Sequence, residues 1–375
     1  MTTQAIPSRK QLQQELAVFI KPNTAKGVIL FVIDVSMYLL AIALVLASTS
    51  WVLKIVGGII AGIKMANMST LAHDAAHNSL TRSKILNKYI AIIGFTPGLF
   101  NYALWLHDHH FLHHRKTNED HPDSYVPLSR EEYESLSPFG KFKYRLYRAP
   151  SIWFFGLYYI VERWWQVKFF PRPHMPPRVR WSAWIHFAYL MAYLAGYLVL
   201  LMLAPIYSPT SALEAVIYGF LVPFYVYQSL YSFTVFVQHN HCRVPWFKGK
   251  RPQEGDGQQA YISVRLVFPK WFSTPVHNIY DHAAHHIHPA IPSYQLPDAQ
   301  ARLNELIGAR AIETRFSFGW LYELMRRCKL YDFERHYWTD FDGVRTTRVT
   351  LASHEDRSAL DYQGADRRQT IEFAT

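Results

Sequence analysis

Residues 28–47 read VILFVIDVSMYLLAIALVLA, twenty residues in an apolar run broken by one acid, Asp34. At 1.5 Å per residue, a helix of this length covers about 30 Å, one hydrocarbon core. The run is too long, and starts too late after a polar stretch, for a cleaved signal peptide. A second apolar run begins at Trp51 after a short loop and continues to about Ala72, so residues 28–47 and 51–72 read as a transmembrane hairpin. The pattern recurs in residues 181–204 and 213–237, separated by the short loop PIYSPTSA. The fold class predicted is an all-α integral membrane protein with four transmembrane helices in two hairpins. Two further apolar stretches, residues 89–105 and 152–165, contain Pro97 or end in Glu162-Arg163-Trp164-Trp165. They suit interfacial helices lying in the headgroup zone.

Composition agrees with an apolar half joined to a basic one. The 375 residues are 50% hydrophobic and 16% aromatic but only 18% charged, which excludes a disordered chain and an ordinary soluble globule. Two cysteines, Cys242 and Cys328, exclude a disulfide scaffold and suit a reducing compartment. Lys+Arg number 39 against 28 Asp+Glu, a net charge of +11, and their distribution orients the chain. Four precede residue 28, fifteen lie in residues 74–180 and eighteen follow Cys242, whereas residues 48–50 and 205–212 hold none. The positive-inside rule then puts both termini and the long middle segment in the cytoplasm, as a cytoplasmic helical cap on the membrane domain. This bias, with contact to anionic lipid, accounts for the basic charge, and no nucleic acid partner is expected. The expected divisions are a cytoplasmic N-terminal tail (1–27), the membrane domain (28–339) and a flexible C-terminal tail (340–375). Gly255-Asp-Gly257 imitates a dinucleotide fingerprint but follows no strand, so it reads as a loop.

Nineteen histidines are the compositional outlier, and most are bunched. His73-Asp-Ala-Ala-His77 ends the second apolar run. His107-Asp-His109-His110-Phe-Leu-His113-His114 follows in the middle segment, Gln238-His239-Asn-His241 follows the fourth run, and His282-Ala-Ala-His285-His286 lies beyond, with His277 and His288 beside it. Residues three or four apart share a helix face, so His73 and His77, then His110, His113 and His114, then His282, His285 and His286 each converge. One H-x-x-H-H arises by chance in about one chain in twenty of this make-up, and two in about one in a thousand. His121, His174, His186, His336 and His354 read as solvent-exposed or hydrogen-bonded side chains. His107 and His109 could each be a ligand or a supporting partner. Asp74, Asp108 and Asp281 stand next to box histidines and suit carboxylates that take the imidazole N–H and fix its tautomer. Eight or nine imidazoles suit two ions with open positions, and imidazole serves Zn, Cu, Fe and Ni alike. Asp34 is expected to face the bundle and pair with a hydroxyl or water.

The three histidine boxes, in this order around two hairpins, resemble those of the membrane fatty-acid desaturase superfamily. The stretches His113-His114-Arg-Lys-Thr-Asn and His285-His286-Ile-His-Pro-Ala-Ile-Pro-Ser-Tyr-Gln-Leu extend the likeness, which covers about residues 28–300. The resemblance implies a non-haem centre of two iron ions that uses O2 and two electrons to remove two hydrogens from an acyl chain. It implies as ligands His73, His77, His110, His113, His114, His282, His285 and His286, with His239 as the family's extra histidine between the second and third boxes. Val235 stands where animal acyl-CoA desaturases carry Asn, which leans toward the bacterial and plastid acyl-lipid branch. The implied substrate is a fatty-acyl lipid or acyl thioester. The implied electron donor is a separate ferredoxin or cytochrome b-type protein, because no flavin, NAD, haem or cysteine-cluster motif is present. If the chain is bacterial, the inner membrane is its expected site. Aromatic residues of the fourth run, Tyr225, Tyr227, Tyr231 and Phe233, are candidates for the acyl channel. An acyl or alkane hydroxylase or carotenoid ketolase on the same scaffold is the alternative, and a histidine-rich metal transporter a remote one.

Overall fold

The computed structural model describes residues 7–119, 123–249 and 262–350. It is mostly helical. In chain order its principal helices are α1 (Arg9–Leu16), α2 (Thr24–Ala47), α3 (Trp51–Ala76), α4 (Lys84–Phe95), α5 (residues 102–116), α6 (residues 154–169), α7 (Pro177–Met202), α8 (Ala212–His239), α9 (His282–Ile287), α10 (Leu296–Ile307) and α11 (Phe318–Arg327). Four of them, α2, α3, α7 and α8, are long and apolar enough to cross a membrane, as the sequence predicts.

Local signals start these helices. Asn23 accepts a hydrogen bond from the Lys26 N–H to cap α2, and Ser211 forms a capping box with Glu214 at the start of α8. Helix α3 is the central element and packs against α2, α4 and α8. Small residues allow the close approach: a Cβ on Gly62 would lie 2.6 Å from Val226 Cβ, and one on Gly58 would lie 2.7 Å from the Tyr218 carbonyl oxygen. Helix α7 is the outer span, with little of its length buried and with Trp181, Ile185 and Val199 exposed. Of the two stretches expected at the interface, residues 152–165 fall mostly in α6, where Val161 and Trp165 are exposed. Residues 89–105 divide: Tyr89 on α4 is exposed, but after α4 ends at Phe95 ahead of Pro97 the chain turns inward, and Leu99, Phe100, Leu104 and Trp105 are buried.

Helix α1, within the expected N-terminal tail, packs on the rest of the chain. Its Leu12 and Leu16 are fully buried against Ala284 and Ile287 of α9 and Leu303 of α10. After α8 the chain forms a short parallel pair, β1 (Arg265–Val267) with β2 (Glu313–Arg315), and an antiparallel one, β3 (Leu330–Asp332) with β4 (Tyr337–Thr339). The polar stretch from Asp340, expected to be flexible, is pinned as far as Thr350: the Thr346 and Thr350 N–H groups donate to the Trp338 and His336 carbonyls. The remainder of that tail, His121, His354 and the Gly255 segment lie outside the described residues. Asp34 also departs from expectation. It pairs with Lys64 Nζ at 3.0 Å and His277 Nε2 at 2.5 Å rather than with a hydroxyl or water. A charged partner was hidden because Lys64 and His277 are far from Asp34 in sequence.

Candidate metal centre

The first box occupies the last turn of α3, where spacing by four puts His73 and His77 on one buried face. The second box departs from α-helical geometry. Helix α5 begins as an α turn, but Leu106–His113 is wound as a π-helix before an α turn resumes. A π turn encloses one more residue. The winding brings His109 toward His114, their Nε2 atoms 3.2 Å apart, and turns His110 outward, exposed, with its Nδ1 3.0 Å from His77 Nδ1. The third box fills α9, and His239 ends α8.

These elements assemble two groups. His73, His77, His109, His114 and His285 form one; His113, His239, His282 and His286 form the other. In each, the candidate ligand atoms lie within 4.8 Å of one another. An ion with bonds of about 2.1 Å holds its ligands within about 4.2 Å, so small adjustments would close either set. The groups adjoin, with the His114 and His286 rings 4.6 Å apart between centroids. Helix α9 serves both: its His285 Nε2 is 3.2 Å from His114 Nε2, while His286 and His282 bring their Nε2 atoms to 2.9 Å.

The donor set fits metal ions. His73 Nε2 and His77 Nε2 are buried with no hydrogen-bond partner among the described residues, an arrangement that is unfavourable unless something takes their lone pairs. Burial first, then repulsion from neighbouring imidazoles, pushes His109, His114, His282, His285 and His286 well below the ordinary histidine value. Neutral imidazole is the form that binds a metal.

Supporting contacts only partly follow the sequence expectation. Asp74 Oδ1 accepts from His73 Nδ1 at 3.2 Å, and its Oδ2 accepts from the Ser293 N–H at 2.6 Å, tying the first box to the segment after the third. Asp108 does not serve an imidazole. It is buried against Arg163 at 3.1 Å and Lys168, both on α6. Asp281 instead pairs with Arg265 at 2.7 Å. The π winding and the approach of α6 decide Asp108's direction, and neither is readable from adjacency. His107 joins neither metal group. Sequence reasoning missed Asp123, whose Oδ2 takes the His113 ring N–H at 2.6 Å, and Thr117, whose hydroxyl is 3.3 Å from His286 Nδ1. The Thr117-Asn118 run was a signal for the second of these. Trp105, fully buried, stacks on His109 at 4.4 Å.

A cavity of about 200 Å³ opens on the histidines between α3 and α8. His73, His109, His113, His239 and His282 form its polar end, while Ile63, Ala66, Leu230, Val276 and Ile279 form apolar wall. Of the four aromatics proposed for the channel, Tyr231 lines it. Tyr227 is buried against Ser69, Phe233 packs on Phe155 and Tyr280, and Tyr225 bonds to the Trp153 carbonyl.

Comparison with known proteins agrees with this site. The fatty acid desaturase family model matches residues 49–318, which include every histidine of the two groups. An sn-1 oleoyl-lipid 12-desaturase of Picosynechococcus sp. is 27% identical over 318 residues, covering 83% of each chain. A chloroplastic omega-6 fatty acid desaturase of Spinacia oleracea is 26% identical over 322 residues, 85% of this chain and 68% of that one. A second sn-1 oleoyl-lipid 12-desaturase, from Synechocystis sp., is 26% identical over 286 residues, 74% of this chain and 76% of that one. With its four apolar helices, its paired histidine groups and a family match over most of its length, the chain belongs to the fatty acid desaturase family.

Proposed function

We propose that the protein is an acyl-lipid desaturase that introduces a double bond into a fatty-acyl chain held in the cavity between α3 and α8. The observation that carries this reading is the junction of two adjoining, largely buried groups of imidazoles with an apolar-walled cavity. The names of the relatives favour an acyl chain carried on a lipid. His73, His77, His109, His114 and His285 would hold one iron ion, and His113, His239, His282 and His286 the other. When bound, the iron pair supplies the O2 activation needed to break an unactivated C–H bond, which side-chain acids and bases cannot do. The balance is fixed by chemistry: the acyl chain gives up two hydrogens, and O2 with two electrons and two protons leaves as two waters.

The chain's own task is positional. Asp74 and Asp123 orient His73 and His113 through their ring N–H groups, which fixes the tautomer that faces the cavity. The apolar wall holds the acyl chain and excludes water. In the reading favoured by the Lys/Arg distribution, α2 with α3 and α7 with α8 form two hairpins, and both termini and the histidine cap lie in the cytoplasm, at the inner membrane of a bacterial cell. Electrons come from a separate ferredoxin or cytochrome b-type carrier, which the basic cytoplasmic face would attract. The test is mass spectrometry of fatty acids from a host expressing the protein, with His285→Ala as control. A product lighter by two hydrogens is expected. A product heavier by one oxygen, with no alkene, would mean a hydroxylase.

A further inference from the structure

The Asp34 cluster ties two spans to a loop. Asp34 on α2 is 2% exposed; its Oδ1 accepts from Lys64 of α3, and its Oδ2 meets His277. His277 belongs to neither metal group and sits in the loop that leads into α9. Charged side chains at span depth face inward and find partners. Here the partner is the part of the chain just ahead of the third histidine box.

That loop has an unusual backbone. His277 and Asn278 follow one another with φ of 57° and 52°, a region that non-glycine residues avoid. Such conformations persist where the surroundings over-determine them. Three polar anchors do so from three helices. Asp34 of α2 holds the His277 ring, Asn67 Nδ2 of α3 donates to the Pro275 carbonyl at 2.9 Å, and Gln238 Nε2 of α8 donates to the Ile279 carbonyl at 2.8 Å. The residues around His277 are cavity wall: Val276, Ile279 and Tyr280 line the same space as His73 and His282.

We propose that Asp34, Lys64 and His277 act as a positioning clamp that selects which carbon pair of the acyl chain is desaturated. The clamp fixes the Val276–Tyr280 wall against the metal end of the cavity. A misplacement of about 1 Å is enough to spoil a reacting geometry, and along an extended chain it moves the reacting position by most of one carbon. The clamp rests on the desaturase reading above and adds to it the determinant of double-bond position.

The test uses the full chain in a host that makes its acyl lipids. Asp34→Leu with Lys64→Met removes the ion pair without stranding a charge among the spans. His277→Ala removes the loop's hold on the pair, and His277→Gln offers a substitute hydrogen bond. Where the wild type gives one dominant positional isomer, the double variant and His277→Ala should give two or more, with displaced isomers rising at least tenfold and iron per chain unchanged. His277→Gln should restore the wild-type isomer. An unchanged single isomer in His277→Ala would overturn the clamp, and this variant decides the matter if the double variant does not accumulate in the membrane. A wild type that makes no alkene would refute the desaturase reading instead, so the two failures are distinct.

Discussion

His109 and His110 are neighbours with opposite fates. A uniform α-helix would put His110 with His113 and His114, and the sequence expectation rests on that geometry. The structure turns His109 inward to the Nε2 of His114 and leaves His110 exposed beside His77. His109→Ala should therefore lower iron content and abolish desaturation, whereas His110→Ala should retain iron. Elemental analysis of the two purified variants checks this, and the reverse pattern would restore the α-helical reading. Much of the site was legible at this scale. His73, His77, His282, His285 and His286 follow from spacing by three and four on regular helices. His109 was not, because no residue in Leu106–His113 announces a π turn in the sequence. Asp123 was also hidden, since its partner His113 is ten residues away across a turn.

Helices α5 and α6 are held together by a buried charge cluster. Burial pushes the Asp108 carboxyl up, but Lys168 and Arg163 more than offset this and hold it below its ordinary range. For Lys168, burial lowers the ammonium group's value, and Asp108 opposes it. Asp108→Asn would remove the anion shared by two buried cations, leaving the more distant Asp123, 3.8 Å from Arg163, as the carboxylate beside them. Breaking a buried pair in this way costs about 3–5 kcal/mol, so the thermal midpoint in detergent should fall markedly. Lys168→Met, which leaves Asp108 with Arg163, should be milder. Equal midpoints for Asp108→Asn and wild type would show that the cluster does not hold α5 to α6. The elements themselves were legible where length and hydropathy decide, as in α2, α3, α7 and α8. Helix α1 was not, because its polar sequence shows only Leu12 and Leu16 as a buried stripe, and the face that receives them lies some 270 residues later.

At the scale of the whole molecule, the spans bring four distant segments to one point, and the buried imidazoles they carry make the metal-free protein sensitive to acid. In the folded chain His109, His114, His282, His285 and His286 sit well below their ordinary value of about 6.5. The unfolded chain therefore binds more protons, and stability falls as pH drops below about 6.5. Thermal melts of chelator-stripped protein at pH 8 and pH 5.5 should show the lower midpoint in acid, and equal midpoints would contradict the burial of these rings. Two adjoining histidine groups call for a pair of metal ions in each chain. Metal analysis of the purified, active protein alongside His282→Ala tests this pair. Two irons per chain in the wild type, with loss of iron in the variant, is the predicted result; an active protein carrying one zinc and no iron would contradict it.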